Sequence, residues 1–101
     1  MVFGDRRVID AISAQAETLA YANPFMATEP RARLGRKLAE LMPGDLDKVF
    51  FTNGGAEANE NAIKIARHFT GRHKILARYR SYHGATAGVM TATGDPRRWA
   101  N

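Results

Sequence analysis

Cysteine is absent from the 101 residues, which excludes a disulfide framework and a thiolate metal site. Long apolar runs are absent as well: nothing approaches the roughly 18 uninterrupted apolar residues of a membrane span. The opening ten residues, MVFGDRRVID, hold neither an apolar core nor a small-residue cleavage site, so no signal peptide is readable. The expected compartment on these grounds is the cytoplasm. Low-complexity tracts and internal repeats are also missing. Proline is scarce, and Pro24, Pro30, Pro43 and Pro96 each fall at the edge of a periodic segment rather than inside one.

What is present is globular in character. The chain is 45% hydrophobic and of a size for one small domain. A net charge of +5 invites a nucleic-acid partner. The bases are scattered, however, from Arg6 and Arg7 through Arg31, Arg33, Arg36 and Lys37 to Arg97 and Arg98. Most lie on the polar side of a periodic segment, where a solvated face explains them. No helix-turn-helix, RNP or finger spacing accompanies them, so neither nucleic acid nor membrane is expected as a partner. The same charge attracts anionic small molecules. His68, His73 and His83 lack metal-ligand spacing, and no metal is expected.

Hydrophobic periodicity orders the chain. Asp5 is the expected N-cap of a helix over about 6–21, with Val8, Ile9, Ile12, Ala16, Leu19 and Ala20 on one stripe. Asn23-Pro24 breaks it. Thr28 or Glu29 caps a second helix, with Pro30 in its first turn, where a missing N–H costs nothing. Leu34, Leu38, Leu41 and Met42 line its inner side. A turn at Pro43-Gly44-Asp45 leads to a short buried strand over 48–52, then a helix over about 55–69 with Ala58, Ala62, Ile65, Ala66 and Phe69 on one stripe. Glu57 and Glu60 near its start, and Lys64, Arg67 and His68 near its end, complement the helix dipole. Gly71 stops it. A second strand is expected over 73–79, then the loop RSYHGAT, then a small-residue helix over about 85–92 ended by Gly94-Asp95-Pro96. The order α-α-β-α-β-α argues for an α/β layer with parallel strands.

The stretch FFTNGGAEANENAIKIARHF carries the chemistry. A strand that ends in two glycines and opens into a helix leaves backbone N–H groups unpaired at the positive end of the dipole, a site suited to a phosphate group. Gly54 and Gly55 permit close approach, and Ala56 adds only a methyl. The stretch is neither G-x-x-x-x-G-K-[ST] nor G-x-G-x-x-G. A tight turn with no ligand explains the same residues, and both readings stand on this stretch alone. In a parallel sheet, ligands sit beyond the carboxyl ends of the strands. RSYHGAT emerges at that edge too, so Tyr82 is placed to offer an aromatic face, with His83 beside it and Gly84 keeping the backbone thin.

Read together, FFTNGGAEANENAIKIAR followed by SYHGAT resembles the class III (omega) aminotransferases, which are fold-type I pyridoxal-phosphate enzymes of the aspartate-aminotransferase-like architecture. VIDAISAQAETLAYANPF and EPRARLGRKLAELMPGDLDKVFF resemble the same family upstream, so the likeness spans nearly the whole chain. The resemblance implies an enzyme using pyridoxal 5'-phosphate to move an amino group from an amine or omega-amino acid donor to a 2-oxo acid acceptor, in a homodimer. It implies that Gly55 and Ala56 bind the cofactor phosphate through their amides and that Tyr82 stacks on the ring. Gly54 stands where the family often has serine and Ala56 where it often has threonine, so the loop offers no hydroxyl. The variant looks more like aminotransferases of the taurine or beta-alanine–pyruvate type.

The family's chemistry also needs a lysine that bonds to the cofactor and a carboxylate facing the ring nitrogen, and the resemblance puts both downstream. Lys37, Lys48, Lys64 and Lys74 read as surface or strand-start charges, so no catalytic residue is assigned. Residues 1–101 read as part of the large cofactor domain with an incomplete parallel sheet, residues 1–45 being the helices that lead into it. Such an excerpt is expected to be inactive alone and prone to associate. Two other readings remain: a small phosphate-ester-binding module, and a basic interaction fragment without catalysis.

Overall fold

The computed structural model describes residues 3–100, and the chain divides between Val49 and Phe50 into two compact units. The first unit carries two helices, α1 (Arg6–Leu19) and α2 (Glu29–Leu41). Asp5 is the N-cap of α1: its carboxylate accepts the Arg7 N–H at 2.9 Å and the Arg7 guanidinium at 2.6 Å. The side-chain bond from Arg7, seconded by the backbone bond, holds the Asp5 carboxyl below its ordinary range. α1 ends two residues short of the expected boundary. Beyond it the Asn23 side chain accepts from the Phe25 N–H at 3.0 Å, closing a local turn. Arg31, on α2, donates to the Pro24 and Met26 carbonyls at 3.0 and 3.2 Å and ties that turn to the helix that follows. Thr28 is the N-cap of α2, with Pro30 in its first turn as expected.

Neither helix of the first unit contains a buried residue. Val8, Ile12, Leu34, Leu41 and Met42, expected on inner stripes, are all exposed. Their amphipathic patterning formed the helices without giving the stripes anything to cover.

The second unit carries α3 (Gly55–Thr70), a short α4 (Ala87–Ala92) and a 3-10 turn (Pro96–Ala100). Gly71 ends α3 in the left-handed region at φ 67°, its N–H bonding the Arg67 carbonyl at 2.9 Å. Glu57 lies in the first turn of α3, and Arg67 and His68 in the last, the charge order that the dipole favours. The small core is built around α4: Val89 and Thr93 are fully buried, and Ala92 nearly so.

Two expectations need correction. Segments 48–52 and 73–79 form no ladder, and no strand occurs among the described residues. A parallel pair has each strand's hydrogen bonds satisfied by neighbours and both faces covered by helices; here Phe50, Leu76 and Tyr79 are exposed and lack such cover. The α/β layer with an incomplete parallel sheet is therefore not formed by these residues. The second correction concerns α3. Its apolar stripe of Ala58, Ala62, Ile65, Ala66 and Phe69 is exposed. Six residues of α3 are partly buried: Ala56, Asn59, Glu60, Ile63 and Arg67, spaced i, i+3, i+4, i+7 and i+11 on another face, and Asn61. That face receives the rest of the unit.

Candidate functional site

The glycine stretch opens α3 as the sequence suggests. Gly54 is the N-cap, extended at φ −166° and ψ 165°, and Gly55 and Ala56 are the first two helical residues. Gly54 has no side chain with which to cap, and helix geometry provides no carbonyl for the N–H groups of the first turn. Glu57, the third helical residue, turns its carboxylate back to the Asn53 N–H at 2.9 Å. This resembles a capping box moved one residue upstream. The Thr52 hydroxyl donates to the Gly54 carbonyl at 3.2 Å. A Cβ built on Gly54 or Gly55 meets nothing within 4 Å, and neither residue has a positive φ. The unit's own packing thus does not require glycine at either place.

The second loop is brought onto this turn. Gly84 is buried at φ 138°, and a Cβ placed on it would fall 2.7 Å from the Ala56 Cβ and 2.9 Å from its Cα. Backbone of the loop lies directly on the second residue of α3. One turn further along, the Asn59 amide donates to the His83 carbonyl at 2.7 Å. From the other side the His83 N–H donates to the buried Thr93 hydroxyl at 3.3 Å, and that oxygen lies 3.2 Å from the Gly84 carbonyl and 3.3 Å from the Val89 carbonyl. Upstream, Arg80 takes a left-handed conformation at φ 59° while its N–H bonds the Gly94 carbonyl at 3.0 Å, and Gly94 returns a bond to the Ser81 carbonyl at 2.8 Å. Tyr82 sits inside this brace, 59% exposed.

Glu60 completes the arrangement. Its Oε1 accepts from the Thr86 hydroxyl at 2.6 Å, the Gly88 N–H at 2.9 Å and the Val89 N–H at 3.0 Å. These groups are the cap residue and the second and third residues of α4, so a carboxylate on α3 caps a helix remote in sequence. The Thr86 hydroxyl bond, then the Val89 N–H, then the Gly88 N–H and the charge of Arg67, keep the Glu60 carboxyl below its ordinary range. Sequence reading gave Glu60 only a helix-start role and overlooked Asn59 and Thr93. The available signal was the i, i+3, i+4 spacing of Ala56, Asn59 and Glu60, set apart from the apolar stripe.

Of the expected cofactor-binding residues, Gly55 and Ala56 share the first turn of α3, and Tyr82 is two residues before the one that touches Ala56. Among the described residues no group of three or more His, Cys, Asp or Glu is arranged to hold a metal ion, and no helix is long and apolar enough to cross a membrane.

Residues 3–100 match the family Aminotransferase class-III. Acetylornithine aminotransferase of Methanopyrus kandleri is 45% identical over 89 residues, covering 88% of this chain and 23% of the relative. Taurine:2-oxoglutarate aminotransferase of Bifidobacterium kashiwanohense, solved with PLP and glutamate, superposes with a TM-score of 0.92 at 48% identity, over 97% of this chain and 22% of that one. An (S)-enantioselective omega-transaminase of Thermomicrobium roseum superposes with a TM-score of 0.84 at 43% identity, over 96% of this chain and 23% of that one. The chain belongs to the class-III aminotransferases, and its backbone follows that of pyridoxal-phosphate transaminases over about a quarter of their length.

Proposed function

We propose that this chain supplies the phosphate-binding turn and ring-facing loop of a pyridoxal-phosphate-dependent aminotransferase that moves an amino group from an amine or omega-amino acid to a 2-oxo acid. The observation that carries the reading is the seating of Gly84 on Ala56. It puts the loop of Tyr82 on the helix turn whose amides lack intrahelical partners.

The residues present fit that cofactor. Gly54 and Gly55 have open space beside them and no conformational need to be glycine; a group resting on the amides accounts for both. Glu57 is turned away to Asn53, so its carboxylate is engaged rather than opposed to an anion. Gly55 and Ala56 would hold the phosphate through their N–H groups, and Tyr82 would face the ring. Pyridoxal phosphate, when bound, supplies a carbonyl that accepts the amino group and a ring that acts as an electron sink. The chain's own part is to bind and orient it. A relative acting on acetylornithine and one acting on taurine both support a donor whose amine is remote from its acidic group. By the resemblance, the lysine that holds the cofactor and the acid at its ring nitrogen come from further polypeptide, and the enzyme is a cytoplasmic homodimer with its sheet completed there.

Grafting tests this reading. The 101 residues replace the matching segment of the Bifidobacterium kashiwanohense enzyme, and the chimera is assayed for cofactor absorbance and amine transfer from taurine. Loading of the cofactor, lost with Gly55→Asp, is the expected result. A folded chimera that takes up none would overturn the proposal. A second reading, a phosphate-ester-binding module without catalysis, rests on the same glycine turn alone. That reading predicts a loaded chimera in which amine transfer is lost.

A further inference from the structure

We infer that Glu60 is a positioning residue, which, with Asn59, fixes where the Tyr82 loop lies over the first turn of α3; the inference rests on the cofactor reading above. Helix geometry sets the basis. Ala56, Asn59 and Glu60 share one face, and the four steps from Ala56 to Glu60 rise about 6 Å along the axis. The loop and the start of α4 meet that face at three points. Gly84 lies on Ala56, the His83 carbonyl accepts from Asn59, and the start of α4 is bound to Glu60.

α4 has only six residues and no side-chain cap of its own, since the Thr86 hydroxyl is given to Glu60 rather than to the helix. So short a helix does not persist by propensity. Its amides at Gly88 and Val89 depend on the Glu60 carboxylate. A Cβ at position 88 would collide with that carboxylate, so glycine there leaves room for the acid. Val89 and Thr93 then complete the chain of dependence. Capping places Val89 in the core, and Val89 and Thr93 close the rear of the loop against the Gly84 backbone. Releasing Glu60 frees α4, then Thr93, then the His83 and Gly84 backbone that carries Tyr82.

The groups around Glu60 belong mostly to α3 and the segment after it. Arg67 acts on its charge, and Lys64, His68 and His73 line the same depression. From the loop and α4, only uncharged donors reach it.

Amide NMR of the intact chain tests the inference without ligand. As pH is lowered through the carboxylate range, the Gly88 and Val89 amide signals and those of His83 and Gly84 are expected to move with one midpoint. Hydrogen exchange should rise about tenfold at the Gly88, Val89 and His83 amides in Glu60→Ala, while Glu60→Gln, whose amide oxygen still accepts, holds most of the protection. Movement at Gly88 and Val89 with His83 and Gly84 unchanged would overturn the positioning role. If Glu60→Ala fails to fold, Thr86→Val, which removes only the 2.6 Å hydroxyl bond, must show the same ordering of effects at smaller size; a flat response at His83 overturns it equally. A final arm adds pyridoxal phosphate and follows Gly55 and Ala56. Saturable shifts that weaken with Glu60→Ala support the inference; shifts indifferent to Glu60 overturn it. No shift with intact pH coupling overturns the cofactor reading instead, together with the part of the inference that concerns the cofactor.

Discussion

Gly84 and Ala56 are in backbone-to-side-chain contact so close that no side chain fits between them: a Cβ on Gly84 would fall 2.7 Å from the Ala56 Cβ. The φ of 138° at Gly84 adds a second obstacle, because L-residues rarely adopt it. Gly84→Ala is expected to destabilise the second unit by about 1–3 kcal/mol, read by urea denaturation. Ala56→Gly in the same chain removes the 2.7 Å clash with the Ala56 Cβ and leaves those with its Cα at 2.9 Å and with Val89 Cγ1 at 3.1 Å, along with the conformational part. It should therefore recover some of the loss, less the cost of glycine in a helix. Full recovery would mean that the dihedral angle is not strained.

Thr93 has no exposure, and its single hydroxyl serves as acceptor for the His83 N–H at 3.3 Å and as donor toward the Gly84 or Val89 carbonyl. Thr93→Val keeps the shape and removes the hydroxyl. The His83 N–H and Gly84 carbonyl then lose a partner at a buried place. A cost of about 1–3 kcal/mol follows, measurable in the same denaturation experiment. Thr91→Val is the control: its hydroxyl bonds only the Gly88 carbonyl from an exposed site, and it should be nearly neutral.

Asp5 gives the first unit a dependence on pH. Its carboxyl is held below the ordinary value by the Arg7 side chain and then by the Arg7 N–H. A folded-state pKa lower than the unfolded one means that the ionised cap favours the helix. That contribution is complete above the unfolded value, near 3.9, and is lost as pH falls through the folded value. Helix α1 should fray from its N-terminus in acid, seen as rising exchange at the Arg7 and Val8 amides. Asp5→Asn keeps a capping oxygen and should flatten the response. An unchanged acid response in Asp5→Asn would assign the effect to another group.

Tyr82 is set between Ser81, bonded to Gly94 and to the Arg78 carbonyl, and His83, bonded to Asn59 and Thr93. The backbone bonds of its neighbours fix the loop's place. Tyr82→Ala should weaken pyridoxal phosphate affinity by about tenfold, the order of a lost aromatic stack. Tyr82→Phe should retain most of it. Equal losses in the two variants would assign the role to the hydroxyl.

Helix existence, the caps at Asp5 and Thr28 and the stop at Gly71 were legible because they depend on residues a few places apart. The Gly55 turn and the Tyr82 loop were legible as separate motifs for the same reason. Glu60 was not, because its partners at Thr86, Gly88 and Val89 lie 26 to 29 residues away and a helix-start acid already has a local explanation. The strands expected over 48–52 and 73–79 do not form among the described residues, for the opposite reason. Composition suits them to a sheet, yet a strand exists only through its neighbours. The stripe of Ile65 and Phe69 shows the same limit: periodicity identifies an apolar face and leaves its cover unspecified.

Those uncovered faces lead to the last expectation. Phe25 is 96% exposed, Phe69 89% and Leu76 100%, alongside exposed Ile12, Ile65, Leu41 and Phe50. Contiguous apolar surface beyond a few hundred Å² promotes association. Only Val89 and Ala92 form a buried hydrophobic core among the described residues. Association would cover apolar surface that folding leaves exposed, and the chain in dilute buffer should self-associate with a concentration-dependent sedimentation coefficient. Phe69→Lys and Leu76→Lys together should lower it, since both side chains are on the surface and neither contributes to the core. The lysine at 69 also suits the last turn of α3, where positive charge is favoured. A wild-type chain that sediments as a monomer at all concentrations and unfolds cooperatively would show that its exposed apolar residues are covered by the chain itself in solution.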